Sequence, residues 1–427
     1  MPAKAGIAVN IDAVQGIVMA FDFTPLVPVG SPPPALKWTG PAKFNFTGGN
    51  NDPDEVPVED LTAAAQAALT REGRNLSQYG LQSGPQGYKP LREFLARKLR
   101  RDASIDCSFD DILIVSGSLQ ALDLVHGALL ARGDTVICER DCYEGTLNRY
   151  YRLGLNIVGI PLDAGGMRMD ALEKALADLK RRGVRPKFIY TIPTVQNPTG
   201  TILDLGRRQR LLELAEDYGV PIFEDDCYSD LIWNGQRPPA LYAMSKSQNV
   251  IHIGSFSKSV APALRVGFIV APWSIMSRMM ALKTDAGSGA LEQIVLAEYC
   301  AAHFETHVPA LRRALRAKLE TLMETLNEQF GTAAEFDDPP GGIFLWVKLP
   351  DNVDTMKLYN SALAAGVAIN PGPNWSADQA WSKSRMRLCF ASPTHEEIRA
   401  GIAVLAEICR KEFGVPERSG NIERPNT

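Results

Sequence analysis

The chain has 427 residues, of which 45% are hydrophobic and 22% are charged, and its formal net charge is −4. This composition is typical of a globular protein, and a chain of this length buries enough apolar surface to need neither disulfides nor structural metals. The small negative charge gives no electrostatic reason to expect binding to nucleic acid or to an anionic membrane.

Seven cysteines are scattered along the chain without Cys-x-x-Cys spacing, which favours reduced thiols. His303 and His307 are four residues apart but lack an HExxH arrangement, so we interpret them as surface residues and expect no metal. The N-terminus lacks a secretory signal pattern, and no apolar stretch reaches the roughly 18 residues that span a bilayer. We therefore predict a cytoplasmic protein with no membrane partner.

The first hundred residues contain few predicted elements. Residues 1–50 are rich in proline and glycine, which predicts an extended arm with one short helix over Val14–Ala20. Two predicted helices, Val58–Leu69 and Pro90–Arg101, then flank a loop over Tyr79–Gly87.

From Asp111 onwards, short apolar strands alternate with helices. The predicted strands are Ile112–Val115, Thr135–Glu139, Asn156–Ile160, Phe188–Thr191, Val220–Glu224, Val250–Gly254 and Val266–Val270. The predicted helices are Leu119–Ala131, Asp170–Arg181 and Leu205–Tyr218. Apolar strands without polar alternation, separated by helices, indicate a mostly parallel sheet covered on both faces. This is an α/β architecture, in which ligands bind beyond the carboxyl ends of the strands.

The pattern changes after about residue 300. The predicted elements here are a long helix over Val308–Phe330, strands over Gly342–Leu349 and Arg385–Ala391, and a closing helix over Glu396–Phe413. The expected domain organisation is an arm over 1–50, a large domain over 51–300 whose segment 51–90 packs partly with the small domain, a small α+β domain over 301–415, and a loose tail over 416–427.

The segment Gly254–Arg265 places Lys258 at the end of a predicted strand. A lysine flanked by small residues at a strand end can be desolvated. Desolvation lowers the pKa of the lysine and frees the amine to form a Schiff base. Ser255, Ser257 and Arg265 surround it with hydrogen-bond donors that suit a phosphate. A solvated lysine in a turn is an equally good interpretation of this segment alone.

Polar side chains also follow two neighbouring strands. Asp225, at the end of one, could hold the pyridine nitrogen of a cofactor protonated, and Tyr228 could donate to a phenolic oxygen. Asn197 opens an Asn-Pro-Thr-Gly turn after the other strand and could donate to a cofactor oxygen. The alternatives are a helix cap or a solvated acidic pair for Asp225, and a plain turn for Asn197.

Three weaker signals involve a loop, an aromatic residue and an arginine. Gly117, between a strand and a helix, lets the backbone approach a phosphate at the helix N-terminus. Tyr143 could stack on a planar ring, although an aromatic residue at a strand end usually belongs to the core. Arg387 could bind a substrate carboxylate through two parallel hydrogen bonds, although arginine on a half-buried strand usually faces solvent.

In this order, the NPTG turn, the pair Asp225 and Tyr228, and the segment SFSKxxxPxLRxG resemble the fold-type-I pyridoxal-phosphate (PLP) enzymes. The closest resemblance, over roughly residues 40–410, is to class I/II aminotransferases of the branch that includes 2-aminoadipate and kynurenine aminotransferases. It implies a seven-stranded, mostly parallel sheet in a PLP-binding large domain, and a homodimer with composite active sites. It also implies ping-pong transfer of an amino group from an amino acid donor to a 2-oxo acid acceptor such as 2-oxoglutarate.

The resemblance assigns a role to each motif residue. Lys258 binds PLP as a Schiff base and shuttles the Cα proton, and Asp225 pairs with the pyridinium nitrogen. Asn197 and Tyr228 contact the phenolic oxygen, and Tyr143 stacks on the ring face. The residues implied to hold the phosphate are Gly117, Ser118, Leu119, Ser255, Ser257, Arg265 and the neighbouring subunit's Tyr79. The residues implied to bind the substrate are Arg387, Gly49 and Asn197.

The chain departs from that branch at a few positions. Leu119 replaces a usual glutamine, which matters little if the backbone amide binds phosphate. Asn50 and Asn51 replace a Leu/Met-Pro pair that lines the substrate side chain, and we take Trp375 as the expected aromatic residue after a Pro-Gly pair. Two alternatives are a PLP-dependent lyase or decarboxylase on the same fold, and a non-catalytic effector-binding domain of a transcriptional regulator. The Pro-rich arm is too short for a DNA-binding domain, which disfavours the latter.

Overall fold

The structure is a computed structural model that describes residues 21–28, 31, 34–35, 37 and 40–416. The helix expected over Val14–Ala20, and the expected tail beyond Pro416, lie outside these residues. The chain divides into two compact units, residues 1–38 and 39–427. The described part of the first unit contains a 3-10 turn over Thr24–Leu26.

The second unit contains all the strands and α-helices of the described residues. The strands are β1 Phe44–Asn45, β2 Ile112–Val115, β3 Thr135–Glu139, β4 Asn156–Ile160, β5 Leu162–Asp163, β6 Gly166–Met167, β7 Ile189–Thr191, β8 Ile222–Asp225, β9 Val250–Ser255, β10 Gly267–Val270, β11 Phe344–Lys348, β12 Val367–Ala368, β13 Asn370–Pro371 and β14 Arg385–Cys389. The helices are α1 Val58–Glu72, α2 Lys89–Ala103, α3 Gly117–Leu129, α4 Glu144–Leu153, α5 Met169–Arg181, α6 Leu205–Asp217, α7 Leu241–Met244, α8 Trp273–Leu282, α9 Ala290–Phe330, α10 Thr355–Ala364 and α11 His395–Phe413.

The predicted mostly parallel sheet is confirmed. Seven strands pair in the order β2-β10-β9-β8-β7-β3-β4, and only β10 runs antiparallel to its neighbours. Strands such as β2, β3 and β8 are buried along their whole length, as expected when helices cover both faces of the sheet. Because the parallel strands share one direction, their carboxyl ends meet at a single edge of the sheet.

A second, antiparallel sheet of three strands has the order β11-β14-β13. Its central strand, β14, carries Arg387, which pairs with Trp346 on one side and Asn370 on the other. The closing helix α11 begins at a capping box between Thr394 and Glu397. This cap satisfies backbone N–H groups that would otherwise lack partners at the first helical turn.

The prediction that a helix begins at Val308 is wrong, because α9 begins at Ala290 and runs through Pro309 for 41 residues. A proline inside a helix removes one backbone hydrogen bond, yet α9 buries apolar side chains on both sides of it, including Tyr299 and Leu311. The domain boundary expected near residue 300 falls within this helix, and the division into large and small domains stays a prediction. Sequence patterns also missed α4, α7, α8 and α10.

Candidate active site

A cavity of about 320 Å³ lies at the carboxyl edge of the large sheet. Most of the predicted site residues line it, although they come from distant parts of the sequence. They are Gly49, Ser118, Leu119, Tyr143, Asn197, Asp225, Tyr228, Ser255, Ser257, Lys258, Arg265 and Arg387. Gly117 packs directly against Arg265, whereas the side chain of Tyr79 lies away from this cavity and is 90% exposed.

Lys258 follows β9, and its amine donates a hydrogen bond to the carbonyl oxygen of Gly49 at 2.7 Å. A Cβ atom at Gly49 would lie 2.3 Å from the Lys258 Nζ atom, so any larger residue at this position would displace the amine. Burial lowers the pKa of Lys258, and the positive charges of Arg387 and Arg265 act in the same direction. A lysine in this environment has an enlarged fraction of neutral, nucleophilic amine.

Asp225 is the last residue of β8 and is buried. Its Oδ2 atom accepts a hydrogen bond from the Tyr190 hydroxyl at 2.8 Å, while its buried Oδ1 atom has no hydrogen-bond partner among the described residues. Burial raises the pKa of the Asp225 carboxyl, and hydrogen bonds from Cys227 and Tyr190 oppose that shift. An unpaired buried oxygen beside a cavity is the arrangement expected where a ligand supplies the missing partner.

Arg387 lies on β14 and connects two other predicted site residues. Its Nη1 atom donates to Asn197 Oδ1 at 3.2 Å, and its Nη2 atom donates to the Gly48 carbonyl at 2.8 Å. Asn197 in turn donates to the Tyr228 hydroxyl at 3.1 Å. The guanidinium carbon lies 3.8 Å from the centroid of the Trp375 ring, so the guanidinium group is held by both hydrogen bonds and an aromatic face.

The turn that carries Asn197 is hydrogen-bonded to the buried side chain of Glu139. Gln196 donates to Glu139 Oε2 at 3.0 Å and accepts from the backbone amide of Thr199 at 2.9 Å. Burial raises the pKa of Glu139 to about 7, and hydrogen bonds from Thr191 and Gln196 oppose the shift. Sequence analysis did not single out Glu139 or Gln196, although a glutamate at the end of an apolar strand was a usable signal.

Hydrogen-bond donors converge at the start of α3. The N-cap residue, Ser116, makes no side-chain cap bond, so the first turn keeps its free N–H groups. Arg265 donates to the Ser116 carbonyl at 3.2 Å and to Ser257 Oγ at 3.5 Å, and the Ser255 hydroxyl donates to Ser257 at 2.9 Å. A guanidinium group and two hydroxyls facing a helix N-terminus suit an anion such as a phosphate.

Tyr143 precedes α4 and lines the cavity. Its ring centroid is 5.8 Å from that of Trp375, and a Cβ atom at Gly145 would lie 2.6 Å from its ring. Leu119 lines the cavity with 37% of its surface exposed.

Sequence analysis missed several residues of the site. Tyr190 is the hydrogen-bond partner of Asp225, and its hydroxyl in an otherwise apolar strand was a signal. Glu144 and Asn148 line the cavity one helical turn apart on α4, a helix that was not predicted. Asn370 lines it from β13, next to Arg387, and no pattern in the sequence pointed to it.

Within residues 40–416 and the short described stretches before them, no helix has the length and apolar character needed to cross a membrane. The same residues contain no group of three side chains suited to hold a metal ion.

Comparison with known proteins identifies the family. Residues 41–405 match the family described as Aminotransferase class I and II. Aromatic-amino-acid aminotransferase 1 of Thermococcus litoralis is 33% identical over 87% of this chain and 88% of that protein. Uncharacterized HTH-type transcriptional regulator YdfD of Bacillus subtilis is 33% identical over 84% of this chain and 74% of that protein.

Solved structures agree with the family match. LysN, the alpha-aminoadipate aminotransferase of Thermus thermophilus, was solved in complex with N-(5'-phosphopyridoxyl)-L-leucine. It superposes with a TM-score of 0.78 at 31% identity, covering 86% of this chain and 92% of that chain. These findings confirm the predicted fold type, the predicted cofactor and the predicted enzyme class. The chain belongs to the class I and II aminotransferases, and it is a PLP-dependent enzyme.

Proposed function

We propose that this cavity holds PLP with Lys258 as the point of covalent attachment, and that the amino group of a donor amino acid is exchanged there with a 2-oxo acid. The observation that carries the proposal is that the Lys258 amine and Asp225, with its unpaired carboxylate oxygen, line one cavity. A reactive amine and a buried acid at neighbouring strand ends are what PLP chemistry requires.

The residues present fit the cofactor. Asp225 Oδ1 is free to accept from a protonated pyridine nitrogen, and the Asn197 and Tyr228 side chains are paired so that both can meet a phenolic oxygen. The donors at the start of α3, with Arg265, suit the phosphate. When bound, PLP supplies an electron sink that stabilises negative charge at the substrate Cα atom.

The protein residues bind the substrate and move its proton. Arg387 offers two N–H groups to the α-carboxylate of the substrate, and this contact orients the Cα–H bond. The backbone of Gly49, whose carbonyl accepts a hydrogen bond from Lys258, lies beside Arg387. The Lys258 Nζ atom would accept the proton from the substrate Cα atom and would later return it. Its lowered pKa keeps enough of the amine neutral to act as this base.

We extend the proposal to the assembly and the cell. The exposed Tyr79 suits a contact with the phosphate site of a second subunit, which gives a homodimer with composite sites. All seven cysteines are free, which suits a reducing cytoplasm. Asn51 donates to the Val260 carbonyl beside the Lys258 loop, so it braces the cavity, whereas we assign no contact to Asn50.

A single half-reaction tests the chemistry. Holoenzyme mixed with an amino acid donor alone is expected to convert its PLP to pyridoxamine phosphate and to release one equivalent of 2-oxo acid. Subsequent addition of a 2-oxo acid, 2-oxoglutarate among those tried, should regenerate PLP. A lyase or decarboxylase would instead keep PLP and release a fragment, and an effector-binding domain would leave both compounds unchanged. Either of these last results contradicts the proposal.

Gly117→Ala tests the proposed phosphate site. Gly117 has φ +74°, and a Cβ atom there would lie 2.3 Å from an Arg265 guanidinium nitrogen. We expect the dissociation constant for PLP to rise about tenfold or more, because displacing packed groups costs about 1–3 kcal/mol. Gly133→Ala is the matched control, since Gly133 has φ +85° with nothing near its Cβ position. Both variants place alanine at a positive φ angle, so they share the same kind of backbone strain. Equal PLP affinities of the two variants, measured by equilibrium titration, would therefore contradict the assignment of Gly117 to the phosphate site.

A further inference from the structure

One carboxylate in the cavity has no role in the chemistry proposed above. Glu144 is the first residue of α4 and follows Tyr143 directly. It is half-buried and lines the cavity together with Asn148, which lies one helical turn further along the same helix. Both side chains are therefore available to a ligand rather than committed to the core.

The Glu144 carboxylate lies near Arg387 but does not form an ion pair with it. Burial raises the pKa of the Glu144 carboxyl, while the positive charge of Arg387 and a hydrogen bond from Asn374 lower it. Among the described residues, no hydrogen bond or ion pair joins the Glu144 carboxylate to Arg387, whose Nη1 and Nη2 atoms contact Asn197 and Gly48. A half-buried carboxylate of this kind gains most from a cation that arrives with the ligand.

The charges that line the cavity support this reading. The cationic side chains among its lining residues are Lys258, Arg265 and Arg387. The proposed function assigns each of them to the cofactor or to the α-carboxylate of the substrate. The acidic ones are Asp225, which faces the ring nitrogen, and Glu144. Among the residues that this chain contributes to the cavity, Glu144 is therefore the one charged side chain left for the substrate side chain, and the amide groups of Asn148 and Asn370 add neutral acceptors.

We propose that Glu144 determines specificity by favouring amino donors whose side chain ends in a positive charge, with Asn148 as a further acceptor beside it. This inference rests on the proposed function of the cavity. A donor with an aminoalkyl side chain places its ammonium group against the carboxylate, whereas a dicarboxylic donor brings a second negative charge to it. The same repulsion disfavours dicarboxylic acceptors, including 2-oxoglutarate, relative to uncharged 2-oxo acids.

Two series of donors matched in carbon number test the proposal with holoenzyme. Ornithine, norvaline and glutamate share five carbons, and lysine, norleucine and 2-aminoadipate share six, so the donors within a series differ in the terminal group and its charge. We expect kcat/KM to fall in the order cationic, neutral, anionic in at least one series. Binding is measured separately with the α-methyl analogues, which cannot lose a Cα proton, by titrating the absorbance of the bound cofactor. The dissociation constants should follow the same order.

Glu144→Gln keeps the size of the side chain and removes its charge. We expect the preference for the cationic donor over the neutral one to fall about tenfold or more, in both kcat/KM and the dissociation constants. Glu144→Lys should reverse the order and favour the dicarboxylic donors. The midpoint of thermal unfolding reports on folding separately from the donor ratios. Glu407→Gln, an identical charge change at an exposed site on α11, is the control and should leave all ratios unchanged.

The possible outcomes separate the inference from the function on which it rests. An enzyme that forms pyridoxamine phosphate but prefers dicarboxylic or neutral donors overturns the inference alone. Ratios that are unchanged in both Glu144 variants do the same. If no donor yields pyridoxamine phosphate and no PLP is bound, the proposed function fails instead.

Discussion

Lys258→Ala is expected to abolish transamination, with kcat/KM lower by at least about 10⁴-fold, because one amine both attaches the cofactor and moves the Cα proton. Lys258 is the only lysine that lines the described cavity, so no neighbouring amine there can replace it. Rates measured with saturating PLP separate this loss from weaker cofactor binding. Borohydride reduction followed by peptide mapping should label Lys258 in the natural protein and no peptide in the variant.

The control for this substitution is Lys357→Ala, which removes an exposed lysine on α10. It should leave the rate and the labelling unchanged. A Lys258→Ala enzyme that transaminates at the normal rate would show that another residue carries the cofactor.

The same lysine has a second measurable consequence. Only the neutral amine attacks an aldehyde, and burial lowers the pKa of Lys258, so the neutral form becomes available at lower pH than in free lysine. The rate at which apoenzyme recombines with PLP should therefore rise with pH, with a midpoint below that of Nα-acetyl-lysine under the same conditions. Equal midpoints would show that the amine is solvated rather than buried.

Asp225→Ala is expected to lower kcat about 10²- to 10³-fold, because removing one partner of a buried charge pair costs about 3–5 kcal/mol. The carboxylate should act by keeping the pyridine nitrogen of PLP protonated, so the absorption spectrum of the bound cofactor should change with the rate. Tyr190→Phe keeps the carboxylate but removes the hydrogen bond to Oδ2. We expect it to lower kcat only about three- to tenfold, since one neutral-donor hydrogen bond contributes about 1 kcal/mol.

A double variant distinguishes the electrostatic role of Asp225 from a structural one. Asp225→Ala leaves the buried Tyr190 hydroxyl without its partner, which costs folding stability. Adding Tyr190→Phe should restore the midpoint of thermal unfolding without restoring kcat. If kcat recovers together with stability, the effect of Asp225 is structural and its assignment to the ring nitrogen is wrong.

Site residues could be predicted from the sequence where a local strand pattern places them. Lys258, Asp225 and Asn197 each lie at or after the carboxyl end of a strand in the sheet. Parallel strands bring such positions to one edge of the sheet regardless of the conformation of the loops. Their convergence in one cavity therefore required only the strand pattern and the order of the motifs. The helix α9 shows the opposite case, because its extent through Pro309 depends on packing along the helix, which no local signal reports.

By itself, the sequence determined the family and the cofactor through a resemblance carried by motifs of fixed spacing, and it pointed to many of the side chains that line the cavity. Only the tertiary structure decided which groups surround them. Tyr190 contacts Asp225 and Glu139 contacts Gln196 through hydrogen bonds between segments that are far apart in the chain, and Glu144 lines the cavity from a helix that was not predicted. Those contacts depend on the register and packing of whole elements, and a pattern within one element does not encode where another will lie.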